Sequence, residues 1–129
     1  MRNRRWTVAL AGIMAVGVLD PVWSHHSHSM FDYTEEVTIT GRVTDFSFRN
    51  PHGFLFLDVE KEKGQVVNYW VEMGPIPGML QRGIRYRTFQ PGDMITVNMV
   101  PLKDGQPGGN YRSIVAADGN TYVGRPLAD

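Results

Sequence analysis

"EEVTITGRVTDFSF", residues 35–48, is the stretch whose reading decides the fold. Val37, Ile39 and Val43 stand in partial alternation among β-branched residues, the pattern of a long strand with one face buried. Gly41 in its interior predicts a bulge or sharp bend, because glycine inside a strand marks a kink or a close backbone approach. A long first strand that bends can take part in both halves of a closed sheet.

The residues that follow extend this reading. "RNPHG", residues 49–53, is turn chemistry, with Asn before Pro and Gly at the end. "FLFLDVE" from Phe54 and "VVNYWVEM" from Val66 are two further strands, separated by the polar "KEKGQ", whose Gly64 suits a hairpin turn. In "PIPGMLQRGIRYRTFQPGD" the alternation stops, and Met79, Leu80 and Gly83 fit a short helix opened near Pro77 and ended by glycine. "MITVNMVPL" from Met94 is a fourth strand and "YRSIVAADG" from Tyr111 a fifth, joined by the Gly/Pro-rich "KDGQPGGN". Three strands, a short helix and two strands is the order of the all-β, five-stranded OB-like barrel, with an open meander sheet carrying a helix on one face as the alternative. In the OB arrangement the loops at residues 50–53 and 103–110 frame the ligand face. Asn50, Pro51, Gly105, Gly108 and Gly109 are therefore candidate binding-loop residues.

Upstream of the strand, residues 1–24 have the grammar of a secretory signal peptide. Arg2, Arg4 and Arg5 form a basic start, Thr7 to Leu19 is an apolar run shorter than a membrane span, and Val22 and Ser24 suit the −3 and −1 positions of a cut. A twin-arginine route is a poor fit, and general export to the periplasm is the expectation. The organisation is then a signal peptide over 1–24, a His-rich leader over 25–34, the β domain over 35–124 and a tail over 125–129.

Removing 24 of 129 residues leaves 105, and losing Arg2, Arg4, Arg5 and Asp20 from 13 basic and 13 acidic residues leaves 10 against 12. A weakly acidic chain with no basic cluster does not neutralise phosphates, which argues against nucleic acid as partner. One small domain is the natural count, and no further apolar run approaches spanning length after cleavage. The absence of cysteine excludes disulfides and thiolate metal cages. Any metal must be held by His, Met, carboxylate or backbone.

Histidine is where that chemistry concentrates. His25, His26 and His28 directly follow the cut, and His52 stands in the turn after the first strand. A terminal His25 offers its α-amino nitrogen and ring Nδ1 to one metal, and such nitrogen sets suit Cu(II) ahead of Zn or Ni. Further imidazoles from His26 or His52 would complete a histidine brace, with His28 and Met30 as additional candidates, since thioethers bind Cu(I). A cut one residue later would instead expose His26-Ser27-His28, a square-planar amino-terminal motif. Polar termini of this kind also occur as plain disordered flanks. Reach is the test: ten leader residues span at most about 35 Å, whereas a straight strand from Val37 to Asn50 extends about 43 Å, so curvature decides whether the leader returns to His52.

Other chemistry is sparse. Ser27, Ser29, Ser47 and Ser113 have no nucleophile-elbow context, and Glu35, Glu36, Glu60 and Glu62 read as solvated strand ends. Asp32 and Glu72 could accept from a metal-bound imidazole and orient it. Met73, Met94 and Met99 read as packing residues in strands. Phe46, Phe48, Phe54, Phe56, Tyr69 and Trp70 could stack a ligand on an exposed face, although a small barrel needs most of those rings for its core.

The runs His25-His26-Ser27 and Met30-Phe31-Asp32, "TGRV", "NPH" at 50–52, "PGD" at 91–93 and "LKDGQPGG" from Leu102 resemble a family of small exported bacterial proteins known only as a domain of unknown function. Its pattern opens Ala-His-His-Ser-Phe-x-Met-Phe-Asp and continues through Asn-Pro-His to Leu-x-Asp-Gly-x-x-Gly-Gly. Ser24 replaces the family's Ala, which keeps a cleavable residue, and His28 replaces its Phe, which makes His28 the least general of the three. The resemblance implies export and an OB-like barrel, directs attention to His25, His26 and His52, and implies no activity. Together these features point to an exported copper-binding barrel in transport, storage or chaperoning, which is more economical than catalysis because no tuned acid–base pair is visible. A metal-free periplasmic module that binds a ligand or an envelope partner is the alternative, and a copper-dependent oxidase the third reading.

Overall fold

A computed structural model describes residues 30–124 of the chain. Its strands are β1 (Val37–Ser47), β2 (Gly53–Glu60), β3 (Val66–Gly74), β4 (Met94–Pro101), β5 (Gly108–Val115) and β6 (Thr121–Val123), with one helix, α1 (Ile76–Gln81), between β3 and β4. The sheet order is β3-β2-β1-β4-β5-β6, and a parallel pairing of β3 with β5 closes the first five strands into a barrel. This is the OB-like closure read from the element order, and the open meander is not formed.

β1 serves both halves, as its length demanded. Val37 through Arg42 pair with β4, and Arg42 through Ser47 pair with β2. The bulge is at Thr44, between the pairs of Val43 and Asp45, and not at Gly41. Gly41 stands next to the handover for a different reason: a Cβ there would lie 2.7 Å from the Asp58 carbonyl oxygen and 2.9 Å from Val59 Cγ2. Its requirement is close approach between strands, and the extra residue that increases local twist sits three positions on.

Inside the barrel, Leu55, Leu57 and Val59 of β2 face Val71 and Met73 of β3, Val97 and Met99 of β4 and Ile114 of β5, all buried. Each such side chain contributes roughly 2 kcal/mol of hydrophobic stabilisation. Met79 of α1, with Ile84 and Phe89 from the following loop, belongs to the same buried cluster, and Phe89 meets Phe46 and Tyr122 edge-on at 5.2 and 5.7 Å. Gly83 ends the helix region with φ +82°.

Three features differ from the sequence reading. β5 starts at Gly108 and not at Tyr111, because Gly108, Gly109 and Asn110 pair with Trp70, Val71 and Glu72 and make the closure itself. β6 was not expected, and a turn in which Asn120 bonds back to Asp118 and Ala116 folds it onto β5. Met73 and Met99 are core residues as read, but Met94 is 48% exposed at the start of β4.

At Gly109 a side chain would collide with the Val100 carbonyl oxygen and the Met99 side chain. Gly109→Ala should therefore lower the urea unfolding free energy by about 3 kcal/mol through overpacking at the closure. Gly105→Ala, in an open turn with φ +73°, should cost about 1 kcal/mol. Equal losses for the two would disprove the closure argument.

Candidate functional site

β2 carries two sets of apolar residues, and the register separates them. Leu55, Leu57 and Val59 point inward, so Phe54 and Phe56 point out, as do their β3 partners Glu72 and Trp70. For Phe54, Phe56 and Trp70 the sequence leaves both an exposed stacking face and the core open. They are half-buried on the outer face, with Phe54 6.0 Å from Trp70 and 6.4 Å from Phe56 between ring centroids. Phe46 does enter the core, and Phe48 and Tyr69 pack at its margin.

The leader covers one side of this face. Phe31 bridges to Leu102, Asp32 N–H donates to the Pro101 carbonyl at 2.8 Å, and Lys103 N–H donates to the Met30 carbonyl at 3.0 Å. The Phe31 ring, 2% exposed, packs on Val100 and Leu102 and lies edge-on to Trp70 at 6.4 Å. Asp32 accepts from the amide and hydroxyl of Thr34, and these bonds hold its carboxyl below the ordinary range. Partial burial beside the cluster pushes the Tyr33 phenol up, and the Arg112 guanidinium lies 5.6 Å from its ring.

Between leader and barrel lies a groove of about 320 Å³ lined by Met30, His52, Phe54, Phe56, Trp70 and Glu72. His52 stands at its polar end. Its Nδ1 lies 2.7 Å from Glu72 Oε1, with the imidazole 45% and the carboxylate 13% exposed. In the neutral ring this bond places the proton on Nδ1, so Nε2 carries the lone pair and is the ligating nitrogen. Carboxylate, imidazole and free Nε2 form the arrangement that orients metal-binding histidines.

The other candidates are distributed as follows. Asn50 ties the β1–β2 loop to α1 by accepting from Ile76 N–H at 2.9 Å, and Pro51 is exposed beside it. Gly105 is in a turn, with Asp104 accepting from Gln106 N–H at 3.0 Å. Gly108 and Gly109 are buried in β5 and make the closure. Met30 and His52 are brought together; Asp32 is engaged by Thr34, and Glu72 is the carboxylate that meets the imidazole. His25, His26 and His28 lie outside the described residues. Among the described residues no three of His, Cys, Asp and Glu stand together as a metal-holding group, and no helix is long and apolar enough to cross a membrane.

Phe31 anchors the leader, so Phe31→Ala should cost about 3 kcal/mol of stability. The amides of Asp32 and Lys103 should then exchange with solvent far faster while those of Val71 and Val97 keep their relative protection. Unchanged exchange at Asp32 would show that the leader is held by something else.

No curated protein matches the chain in sequence. A family model described as a family of unknown function, DUF6152, matches residues 13–111, most of the leader-bearing barrel included, and the chain belongs to that family.

Proposed function

We propose that this is an exported copper-binding protein, acting in transport, storage or chaperoning, whose metal is held where the mature amino terminus meets the barrel at His52. Residues 1–24 serve as the signal peptide, and cleavage after Ser24 frees the α-amino group of His25 in the periplasm. His25 then supplies amine and ring nitrogens, with His26 or His52 as further imidazole ligands and His28 and Met30 at hand.

The observation that carries this reading is the groove shared by Met30 and His52. Met30 is only five positions after His25, a length of at most about 17 Å, so the terminal nitrogens need not cross the molecule to reach the imidazole. Glu72 holds the His52 ring at Nδ1, which leaves Nε2 for a metal. One imidazole is a weak site by itself, and the terminal amine and rings supply the nitrogen set that Cu(II) prefers.

A second reading draws on the outward rings. Phe54, Phe56 and Trp70 lie on the strands and beside the loops where OB barrels take ligands, which favours a metal-free binding module for an organic ligand or an envelope protein. Tight binding of such a molecule by metal-free protein would support it.

Intact mass should show the exported chain starting at His25, and a start beyond Ser27 would remove the terminal chelate. In Cu(II) titrations, His25→Ala and His52→Ala should each weaken binding, and Glu72→Gln should weaken it by about tenfold or more through loss of imidazole orientation. Unchanged affinity in His52→Ala would sink the two-part site.

A further inference from the structure

We infer that the groove itself is a site for a monovalent soft cation, cuprous copper being the biological candidate, built from the Met30 thioether, His52 Nε2 and the indole of Trp70. This rests on the reading of the protein as a copper binder, and it separates the oxidation states: nitrogens of the mature terminus for Cu(II), the groove for Cu(I).

The donor chemistry is the first reason. Met30, His52 and Trp70 line one groove, and a thioether with an imidazole is a soft, low-coordinate set of the kind that selects Cu(I). With no cysteine in the chain, methionine is its soft sulfur donor, and Met73, Met79 and Met99 are buried in the core. An indole face adds attraction for a cation through its quadrupole, stronger where water is excluded. Phe54 and Phe56 continue the apolar wall beside Trp70.

Charge is the second reason. Thioether, imidazole and indole are neutral, and Glu72, 13% exposed, brings one negative charge through its contact with His52 Nδ1. A monovalent cation at Nε2 is therefore balanced by a single carboxylate. A divalent ion enclosed by the aromatic walls, away from the terminal nitrogens and water, would leave one uncompensated positive charge, which is costly in an apolar setting. The groove also lacks the several nitrogens of a tetragonal Cu(II) site.

Silver(I), a redox-inert mimic of Cu(I), tests this on the exported protein starting at His25, in which Trp70 is the one tryptophan. Ag(I) should bind with a change in tryptophan emission that is lost in Trp70→Phe, and Met30→Leu, a volume-conserving change, should weaken Ag(I) binding by about tenfold or more. The same Met30→Leu protein should keep its Cu(II) affinity within about twofold, as a site built on terminal nitrogens requires. Unchanged Ag(I) affinity in Met30→Leu, or Ag(I) binding that leaves Trp70 emission unaffected, overturns the groove site. If His25→Ala leaves Cu(II) binding intact while Met30→Leu still weakens Ag(I), the terminal site fails and the groove stands; the reverse pattern fails the groove alone.

Discussion

The parallel pairing of Trp70, Val71 and Glu72 with Gly108, Gly109 and Asn110 is the constraint on which the rest of this structure depends. Parallel neighbours cannot be joined by a hairpin, so the chain between β3 and β5 must run through α1 and β4 before it returns. That detour supplies Met79, Ile84 and Phe89 to the core. The pairing also requires the absence of side chains on β5. A Cβ on Gly108 would fall 2.5 Å from the Trp70 ring, and one on Gly109 would meet the Val100 carbonyl. Two consecutive glycines let backbone and indole share a space that any larger residue would fill.

From this closure the outer face follows. The Trp70 ring lies against Gly108 and makes T-shaped contacts with Phe31 and Phe54. Phe31 in turn covers Val100, a β4 residue that strand alternation turns to the face opposite that of buried Met99. The leader is thus held by its phenylalanine and by its backbone bonds to Pro101 and Lys103. Its course places Met30 on the groove with His52. The curvature that a flat strand would have denied the leader comes from barrel closure, with the Thr44 bulge as its local device and Gly41 as its clearance.

Much of the fold was legible because its signals are local. Alternation marked β1 to β4, Gly64 and Gly83 marked the ends of elements, and the order of elements marked the barrel. What escaped depended on partners distant in sequence. Gly108-Gly109 reads as loop composition until β3 is known to lie beside it. The three residues of β6 are too few to show a period. The outward rings were partly readable in "FLFLDVE": Leu55, Leu57 and Val59 form a purely aliphatic set, while the set of Phe54 and Phe56 ends in Asp58 and Glu60, which only a solvent-facing side tolerates. His52 was found by residue type. Its partner Glu72 was one of two carboxylates considered, and only the β2–β3 register, which sets Glu72 opposite Phe54, separates it from Asp32.

The His52–Glu72 contact also limits how the proposed sites can operate together. Nδ1 is committed to the carboxylate, so the imidazole has one nitrogen to give. On the proposed assignments, Cu(II) bound by the terminal amine and Cu(I) bound by the Met30 thioether both call on Nε2, and one protein molecule cannot satisfy both through that atom. Oxidation state would then decide which neighbours share the ion with His52, the nitrogens on the leader side or the sulfur and indole in the groove. Because Met30 is tied to Lys103 and followed by the anchored Phe31, the soft side is fixed to the barrel. On these assignments the two donor sets divide around one shared ligand, and in a chain without cysteine the soft share falls to methionine.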